Sequence, residues 1–546
     1  MAHFLEADFQ PWATALAAAL FAPQPADGRR EQAWNLLDAL APLGDAVDTV
    51  LRASRLPLLE QLPHAPAEYQ PAVIGSRAVA GALKLSYHEA AACCDAMHAV
   101  RGVHSLTLHP RRAGEAATGR TATTQHADEA EAVEARACTA VASLSSLRTL
   151  KLCQHTSSTG CAVKAPLALL PALTCTRLTQ LAELELHGGR FDLDALTPPL
   201  RCLTTLTRLA LIDSCFEGWD AIELDGTLAA AVAHVPLLAD LKLRGAAAQL
   251  LAPALGPLTA LTSLDLAFAP IDDVDDCDDD VEALAAGLPR LSRLAVLKLQ
   301  ALDIGGTAAA ALTAALGTLT ALTLLDLHSI CIFDFGAESL AAALQRLSRL
   351  EVLKLQDIDA GDPVALATLT ALTLLDLSDS NVCAAGAEAL ASALCRLSRL
   401  AHLNLAANHL GAACVAALAP PIAQLTALTR LDLGCNNIDA DGAASLAPAL
   451  SRLSRLAFLS LPDNSLGTGG AAALAPPLGL LTALTELDLG GNNLGEESLH
   501  HLAPALARLT ALRGLYLDAN GVQESAAAAL RARLPASVCK ALVWER

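Results

Sequence analysis

The stretch LTLLDLSDSNVCAAGAEALASALCRLSR, residues 372–399, decides the fold. Its opening LTLLDL has the form LxxLxL, in which the second and third leucines lie on one face of a β-strand. The segment GAEALASALCRL, residues 386–397, then spaces its apolar residues with the period of a helix. One strand and one helix cannot bury a core alone, so the unit must stack on copies of itself.

The LxxLxL pattern recurs along most of the chain. From residue 372 onward the copies follow every 28 residues, whereas the earlier spacings vary from 22 to 44. Since helices are wider than strands, we predict an α/β array of about fifteen coils of period 28, with a parallel sheet on the concave face and helices on the convex face. The fifteen copies begin at positions 103, 147, 181, 206, 238, 261, 294, 322, 350, 372, 400, 428, 456, 484 and 512.

The coils alternate between two types of entry. LSRL begins at 291, 347, 397 and 453, and LTAL begins at 319, 369, 425 and 481, so that the duplicated unit is a pair of coils. In this alternation, over roughly residues 101–520, the chain resembles the ribonuclease-inhibitor class of leucine-rich repeats. That class includes the arrays of NOD-like receptors and the Ran GTPase-activating protein. The resemblance implies a horseshoe-shaped solenoid that acts by binding another macromolecule.

A turn asparagine follows each of the last five strands. Its amide can bond to exposed backbone of adjacent turns, which predicts a ladder along the array. Earlier coils hold other residues at this position, among them Leu302, Ile330 and Ser380, and we expect their turns to be less regular. The five asparagines are Asn408, Asn436, Asn464, Asn492 and Asn520.

The two ends lack the repeat. Residues 1–100 favour helices at about 5–21, 29–52 and 76–100, which predicts a helical N-terminal cap or accessory region. Residues 521–546 are interpreted as the C-terminal cap, and residues 101–520 as the solenoid.

Composition restricts the function. The formal net charge of −20 argues against nucleic acid or an anionic membrane as the partner and favours a protein, possibly a basic one. Fifteen cysteines without a CxxC pair indicate a reduced, cytoplasmic protein, and no apolar run is long enough to cross a membrane. No catalytic or nucleotide-binding motif is present, so we predict neither enzymatic activity nor a cofactor.

The run IDDVDDCDDD, residues 271–280, places seven aspartates directly after a predicted strand. The simplest interpretation is a solvated loop that begins the next helix, whose N-terminus favours negative charge. A docking patch for a basic partner and a weak divalent-cation site are alternatives. The aspartates of this acidic patch are Asp272, Asp273, Asp275, Asp276, Asp278, Asp279 and Asp280.

Three residues at the ends of the first three strands could hold zinc. His109, Cys153 and His187 occupy equivalent positions, and imidazole and thiolate are zinc ligands. Coincidence is the simpler interpretation, and we predict no metal.

Two columns of side chains should face the concave side. The residue between the second and third leucines alternates as Lys242, Asp265, Lys298, Asp326, Lys354 and Asp376, which predicts a ladder of opposite charges. The residue before the second leucine is apolar in four consecutive central coils, and such a patch usually marks an interaction site. The predicted partner-binding residues are Val296, Leu324, Val352, Leu374, His402 and Phe458.

The sequence therefore predicts a scaffold or sensor array that binds a partner protein on its concave face. Three alternatives stay open. The resemblance to the Ran activator suggests a regulator of a small GTPase, and the segments GAEALASAL (386–394) and GAAALAPPL (470–478) resemble the GALA repeats of microbial effectors and ubiquitin-ligase adaptors. An inhibitor that clamps a basic enzyme fits the charge.

Overall fold

In the computed structural model the chain forms two compact units, residues 1–251 and 252–546. In the first unit the structure describes residues 82–86, 90, 103–109, 141, 144, 146–153, 178, 180–187, 193–212, 232–245 and 248. In the second it describes residues 255–268, 275–304, 306–332, 335–356, 363–382 and 384–543.

The described part of the first unit contains six strands that pair in chain order, every pair parallel. A helix, α1 (Leu193–Cys202), connects the fourth and fifth strands. The strands are β1 (Ala82–Ser86), β2 (Ser105–His109), β3 (Thr149–Cys153), β4 (Glu183–His187), β5 (Arg208–Ile212) and β6 (Asp240–Arg244).

In the described part of the second unit eleven strands also pair in chain order and in parallel. They are β7 (Ser263–Ala267), β8 (Val296–Ile304), β9 (Leu324–Ile332), β10 (Val352–Lys354), β11 (Leu374–Asp376), β12 (His402–Asn404), β13 (Arg430–Asp432), β14 (Phe458–Ser460), β15 (Glu486–Asp488), β16 (Gly514–Tyr516) and β17 (Leu542–Val543).

Helices separate most of these strands, and neighbouring helices pack on each other. A 3₁₀ turn at Pro363–Thr368 takes the place of a helix between β10 and β11. The α-helices are α2 (Asp275–Gly287), α3 (Gly306–Leu316), α4 (Phe335–Leu344), α5 (Ala384–Leu394), α6 (Gly411–Ile422), α7 (Ala440–Leu450), α8 (Gly467–Leu478), α9 (Gly495–Leu506), α10 (Glu524–Arg533) and α11 (Ala536–Ala541).

The leucines of the repeat form the core. In the coil that begins at 372, Leu372, Leu375 and Leu377 are fully buried, and each contributes about 1.5–3 kcal/mol by leaving water. Leu374 and Asp376 alternate with them along β11 and are half-buried on the opposite side of the sheet. We call this second side the strand face.

All fifteen predicted strands are present, and two more lie beyond them. Strand β1, at Ala82–Ser86, lies where the sequence predicted a helix over residues 76–100, so that prediction was wrong. Its segment AGALKL has Ala80 where the pattern requires leucine, which hid the copy, but Leu83 and Leu85 are buried like their counterparts. The other predicted helices of the N-terminal region lie outside the described residues.

The predicted asparagine ladder forms in the last coils. The Asn436 amide is fully buried: its oxygen accepts from the backbone N–H of Asn408 at 3.0 Å, and its nitrogen donates to the carbonyl of Leu405 at 2.8 Å. The ladder begins one coil before the first asparagine, because Ser380 donates its hydroxyl to the carbonyl of Leu355 and its N–H to Asn408.

In two earlier coils the chain does not turn at the position of the asparagine. At positions 302 and 330 the backbone continues as strand, with Leu302 in register with Ile330 and Ile304 with Ile332. Apolar and β-branched residues favour an extended backbone and lack the amide that would bond a turn, so β8 and β9 run for nine residues each.

Candidate functional site

The predicted partner-binding residues form one column on the strand face of the second unit. Val296, Leu324, Val352 and Leu374 are in register on four neighbouring strands, and each is half-buried. Because paired parallel strands lie about 4.8 Å apart, the four side chains make one continuous strip. We call it the apolar strip.

The column continues with residues of mixed character. His402, Arg430 and Phe458 follow Leu374 in register on β12, β13 and β14. The Arg430 guanidinium lies over the Phe458 ring, 4.0 Å from its centroid, a cation–π contact. Burial, and then the positive charge of Arg430, lower the pKa of His402 from its usual value, which favours the neutral ring. Arg430 was not among the predicted site residues, although the register alone places it in the column.

The second column of the strand face has the predicted alternation of charge. Asp265, Lys298, Asp326, Lys354 and Asp376 are in register on β7 to β11. The Lys354 ammonium lies 3.6 Å from the nearer carboxylate oxygen of Asp326. Such a pair, with the lysine partly exposed, contributes at most about 1 kcal/mol.

The acidic residues of this column have a second, structural role that the sequence reasoning missed. One oxygen of Asp376 accepts from the backbone N–H of Ser378 at 3.1 Å and from its hydroxyl at 2.8 Å. Asp432 accepts in the same way from the N–H of Gly434 at 3.0 Å. An Asx turn of this kind could have been predicted from an aspartate two residues before a turn.

A depression of about 190 Å³ opens on the strand face where the apolar strip ends. Residues of β11 to β14 line it, among them the buried Leu375 and Leu403, and they supply apolar, acidic and cationic groups. The side chains that matter for its chemistry belong to Leu374, Asp376, His402, Asn404, Arg430, Asp432 and Phe458.

The acidic patch lies largely at the beginning of a helix. Helix α2 starts at Asp275, and in its first turns Asp278 is half-buried and Asp279 is exposed. Aspartates in a first turn interact favourably with the helix dipole. Asp272 and Asp273 lie outside the described residues.

On the strand face of the first unit the Glu185 carboxylate binds three cationic or ionisable groups. Its oxygens lie 3.2 Å from the Lys151 ammonium, 3.1 Å from His187 Nε2 and 3.3 Å from the Arg208 guanidinium. Burial raises the pKa of Glu185, but hydrogen bonds from His187 and Lys151 and the charges of Lys151 and Arg208 bring it below its usual value. The cluster stabilises the ionised carboxylate.

Two of the residues considered for zinc, Cys153 and His187, lie in register on β3 and β4, and His109 ends β2. His187 contacts Glu185, and burial raises the pKa of the Cys153 thiol, which opposes formation of a zinc-binding thiolate. Among the described residues no group of three or more histidine, cysteine or acidic side chains is placed to hold a metal ion.

The repeat itself matches a known family. The family model described as "Leucine Rich repeat" matches residues 424–447 and 481–502, two strand–turn–helix segments. With the parallel strands that alternate with helices, this match fits the fold of a leucine-rich-repeat solenoid. Two solved structures are similar at low identity. An internalin from Listeria monocytogenes shares 19% identity over 71% of this chain and 85% of its own, with a TM-score of 0.37. The toll-like receptor TLR13, in a complex with the RNA ssRNA13, shares 16% identity over 85% of this chain and 60% of its own, with a TM-score of 0.41.

No curated protein matches this chain. Within the described residues no helix has both the length and the apolar character that crossing a membrane requires.

Proposed function

We propose that this leucine-rich-repeat protein is a non-enzymatic scaffold that binds a partner protein on the strand face of its second unit. The observation that supports the proposal most is the apolar strip. It consists of four half-buried aliphatic side chains in register on β8 to β11, an arrangement that leaves apolar surface in contact with water.

The continuation of the column supports the same site. Arginine and aromatic residues are enriched among residues that dominate binding energy, and Arg430 and Phe458 form a preorganised pair beside the strip. Further acidic groups, including the acidic patch at the start of α2, suit a basic partner. We assign the array to the ribonuclease-inhibitor class on its alternating LSRL and LTAL coils, and we place it in the cytoplasm on its cysteine content.

The proposal is tested by removing the apolar strip. The double variant Leu324→Ser, Leu374→Ser should keep its fold, because both side chains are already partly exposed, with a loss of less than about 2 kcal/mol in the free energy of unfolding. Capture of the partner from an extract of the source cell, measured by quantitative mass spectrometry, should fall at least about tenfold, or 1.4 kcal/mol.

The matched control is Leu480→Ser. Leu480 has 52% of its surface exposed and lies in the turn after α8, away from the strip. Proteins that are retained by the wild type and by Leu480→Ser but lost from the double variant are the partners of the strip. If the double variant captures the same proteins in the same amounts as the wild type, binding on this face is wrong.

A further inference from the structure

The second column of the strand face breaks its own alternation at β12. In the LSRL coils the column residue is Lys298 on β8 and Lys354 on β10, but it is Asn404 on β12 and Ser460 on β14. The aspartates of the intervening LTAL coils continue without interruption as Asp376, Asp432 and Asp488. From β12 onward the aspartates therefore lack the lysines that the duplication places between them.

The intact part of the column shows what is missing. Lys354 is in register between Asp326 and Asp376, and its ammonium lies 3.6 Å from a carboxylate oxygen of Asp326. Asn404 holds the equivalent place between Asp376 and Asp432, but its side chain is shorter and uncharged. Its side-chain oxygen accepts a hydrogen bond from the N–H of Ala406, in the turn that follows β12, at 3.1 Å.

The space that the absent lysine would fill is open. The depression of about 190 Å³ lies at this place and is lined by Asp376, Asn404 and Asp432. Each of the two aspartates gives one oxygen, Oδ1, to its own turn. The second oxygen of each makes no hydrogen bond to any residue that the structure describes, which leaves two acceptors on either side of the gap.

The walls of the depression suit the alkyl part of a long cationic side chain. Leu374, His402 and Phe458 supply apolar surface. The Arg430 guanidinium also lines the depression, where it stacks on Phe458 and acts electrostatically on His402. The charged and titratable groups around the gap are thus the carboxylates of Asp376 and Asp432, the Arg430 guanidinium, the His402 ring and, in register with Asp376 on β10, Lys354. The lowered pKa of His402 favours its neutral form.

We propose that the depression binds a lysine side chain of the partner protein, whose ammonium replaces the lysine absent from position 404. The inference rests on the proposed function and adds the chemistry of the partner. The partner's aliphatic residues cover the apolar strip, and its lysine enters the depression at the end of the strip and pairs with Asp376 and Asp432.

A test that needs no partner uses small probes and the full chain. Leucine methyl groups are labelled with ¹³C, the Leu374 signal is assigned with Leu374→Ile, and the protein is titrated with N-acetyl-lysine amide or N-acetyl-norleucine amide. The two probes differ by the ammonium group. The lysine probe should shift the Leu374 methyl signals with a midpoint at least about tenfold lower than that of the norleucine probe. Equal responses, including no response to either, would overturn the proposal.

Variants of Asn404 and of the two aspartates locate the effect. Asn404→Lys supplies the chain's own ammonium and should abolish the response to the lysine probe, whereas Asn404→Gln, which also loses the bond to Ala406, should retain it. The double variant Asp376→Asn, Asp432→Asn should raise the midpoint of the lysine-probe titration at least about tenfold. This variant tests the site even if Asn404→Lys does not fold. A lysine response that persists in these variants contradicts the assignment.

Partner capture separates this inference from the function on which it rests. If the strip variant Leu324→Ser, Leu374→Ser loses the partner but Asn404→Lys captures it as well as Asn404→Gln does, the strip binds a partner and the lysine site is wrong. If the strip variant captures normally, the proposed function fails, whatever the probes show.

Discussion

At the scale of single residues, Asp376 and Asp432 combine a structural role with the binding role that we propose for them. One oxygen of Asp432 closes the turn at Gly434, and the residue also lines the depression. The sequence predicted the column to which Asp432 belongs, because every second residue of a strand lies on one face. It could not predict that one carboxylate oxygen is used by a hydrogen bond in the turn, because that bond depends on how the turn closes. A count of acidic residues from the sequence alone therefore overstates the number of carboxylate oxygens that can accept a hydrogen bond from a partner.

His402 provides a test of the electrostatics of the site. Its pKa is lowered from 6.5 first by burial and then by Arg430, so Arg430→Gln should raise it only part of the way back. The folded state disfavours the protonated ring, so the contribution of His402 to stability is complete above pH 6.5 and declines as the pH falls through that value. Imidazole proton shifts followed by NMR between pH 5 and 8, with His402→Gln for assignment, measure the change. A midpoint that stays the same or falls in Arg430→Gln would show that Arg430 does not act on this ring.

At the scale of the coil, one turn interrupts the asparagine ladder. The residue after each turn asparagine has a positive φ in His409, Asn437, Asn493 and Gly521, but Ser465 is not among the positive-φ residues of the described chain. Ser465 instead donates its N–H to the carbonyl of Ile438 at 2.8 Å. The fully buried oxygen of Asn492, which would accept from this turn, has no hydrogen-bond partner among the described residues. Serine adopts left-handed backbone less readily than asparagine or glycine, which explains the interruption.

Ser465→Asn should restore the ladder. Asparagine tolerates positive φ, so the turn can close as in its neighbours and the N–H groups of 464 and 466 can reach the Asn492 oxygen. Satisfying a buried acceptor should raise the free energy of unfolding by about 1 kcal/mol, measured by urea denaturation. Ser465→Ala, which has no preference for the left-handed region, is the control and should give no gain. Equal stability of the asparagine and alanine variants would mean that the backbone at 465 does not limit the ladder.

The sequence predicted the positions of the strands better than their lengths. The buried leucines repeat without exception in the last coils, so strand positions there follow directly from the period. The copy at β1 was missed because Ala80 replaces a leucine, and the length of β8 and β9 was missed because their extension depends on pairing between 302 and 330. The apolar strip was predictable for the same reason as the strands. The depression was not, because a cavity depends on side-chain volumes on three strands at once.

At the scale of the whole molecule, net charge and local charge differ. The chain has a formal charge of −20, yet the strands of the first unit present Lys84, Lys151, Arg208, Lys242 and Arg244 against Glu183, Glu185 and Asp240. In the second unit the column loses its lysines after Lys354 and becomes acidic. We therefore expect a partner to respond to the charge of the unit that it meets and not to the total charge, since screening confines these fields to about 8–10 Å.

Repeat arrays hold each coil mainly through its neighbours, so damage should remain local. Asn436→Ala removes a fully buried amide that bonds the backbone of Asn408, Leu405 and its own turn. Each unpaired backbone group costs about 1–3 kcal/mol, and the loss falls on the coils from β12 to β14. Hydrogen exchange measured by mass spectrometry should therefore accelerate at residues 400–466.

Exchange in β8 and β9 of the same unit, at 296–304 and 324–332, should stay as slow as in the wild type, because these strands pair with each other and share no bond with Asn436. Asn437→Gly is the matched control: Asn437 is exposed and has a φ of 54°, a conformation that glycine adopts without cost. Uniform acceleration throughout the second unit would instead identify a single cooperative body, in which the ladder stabilises every coil and the energetics of a repeat array with nearest-neighbour coupling do not apply.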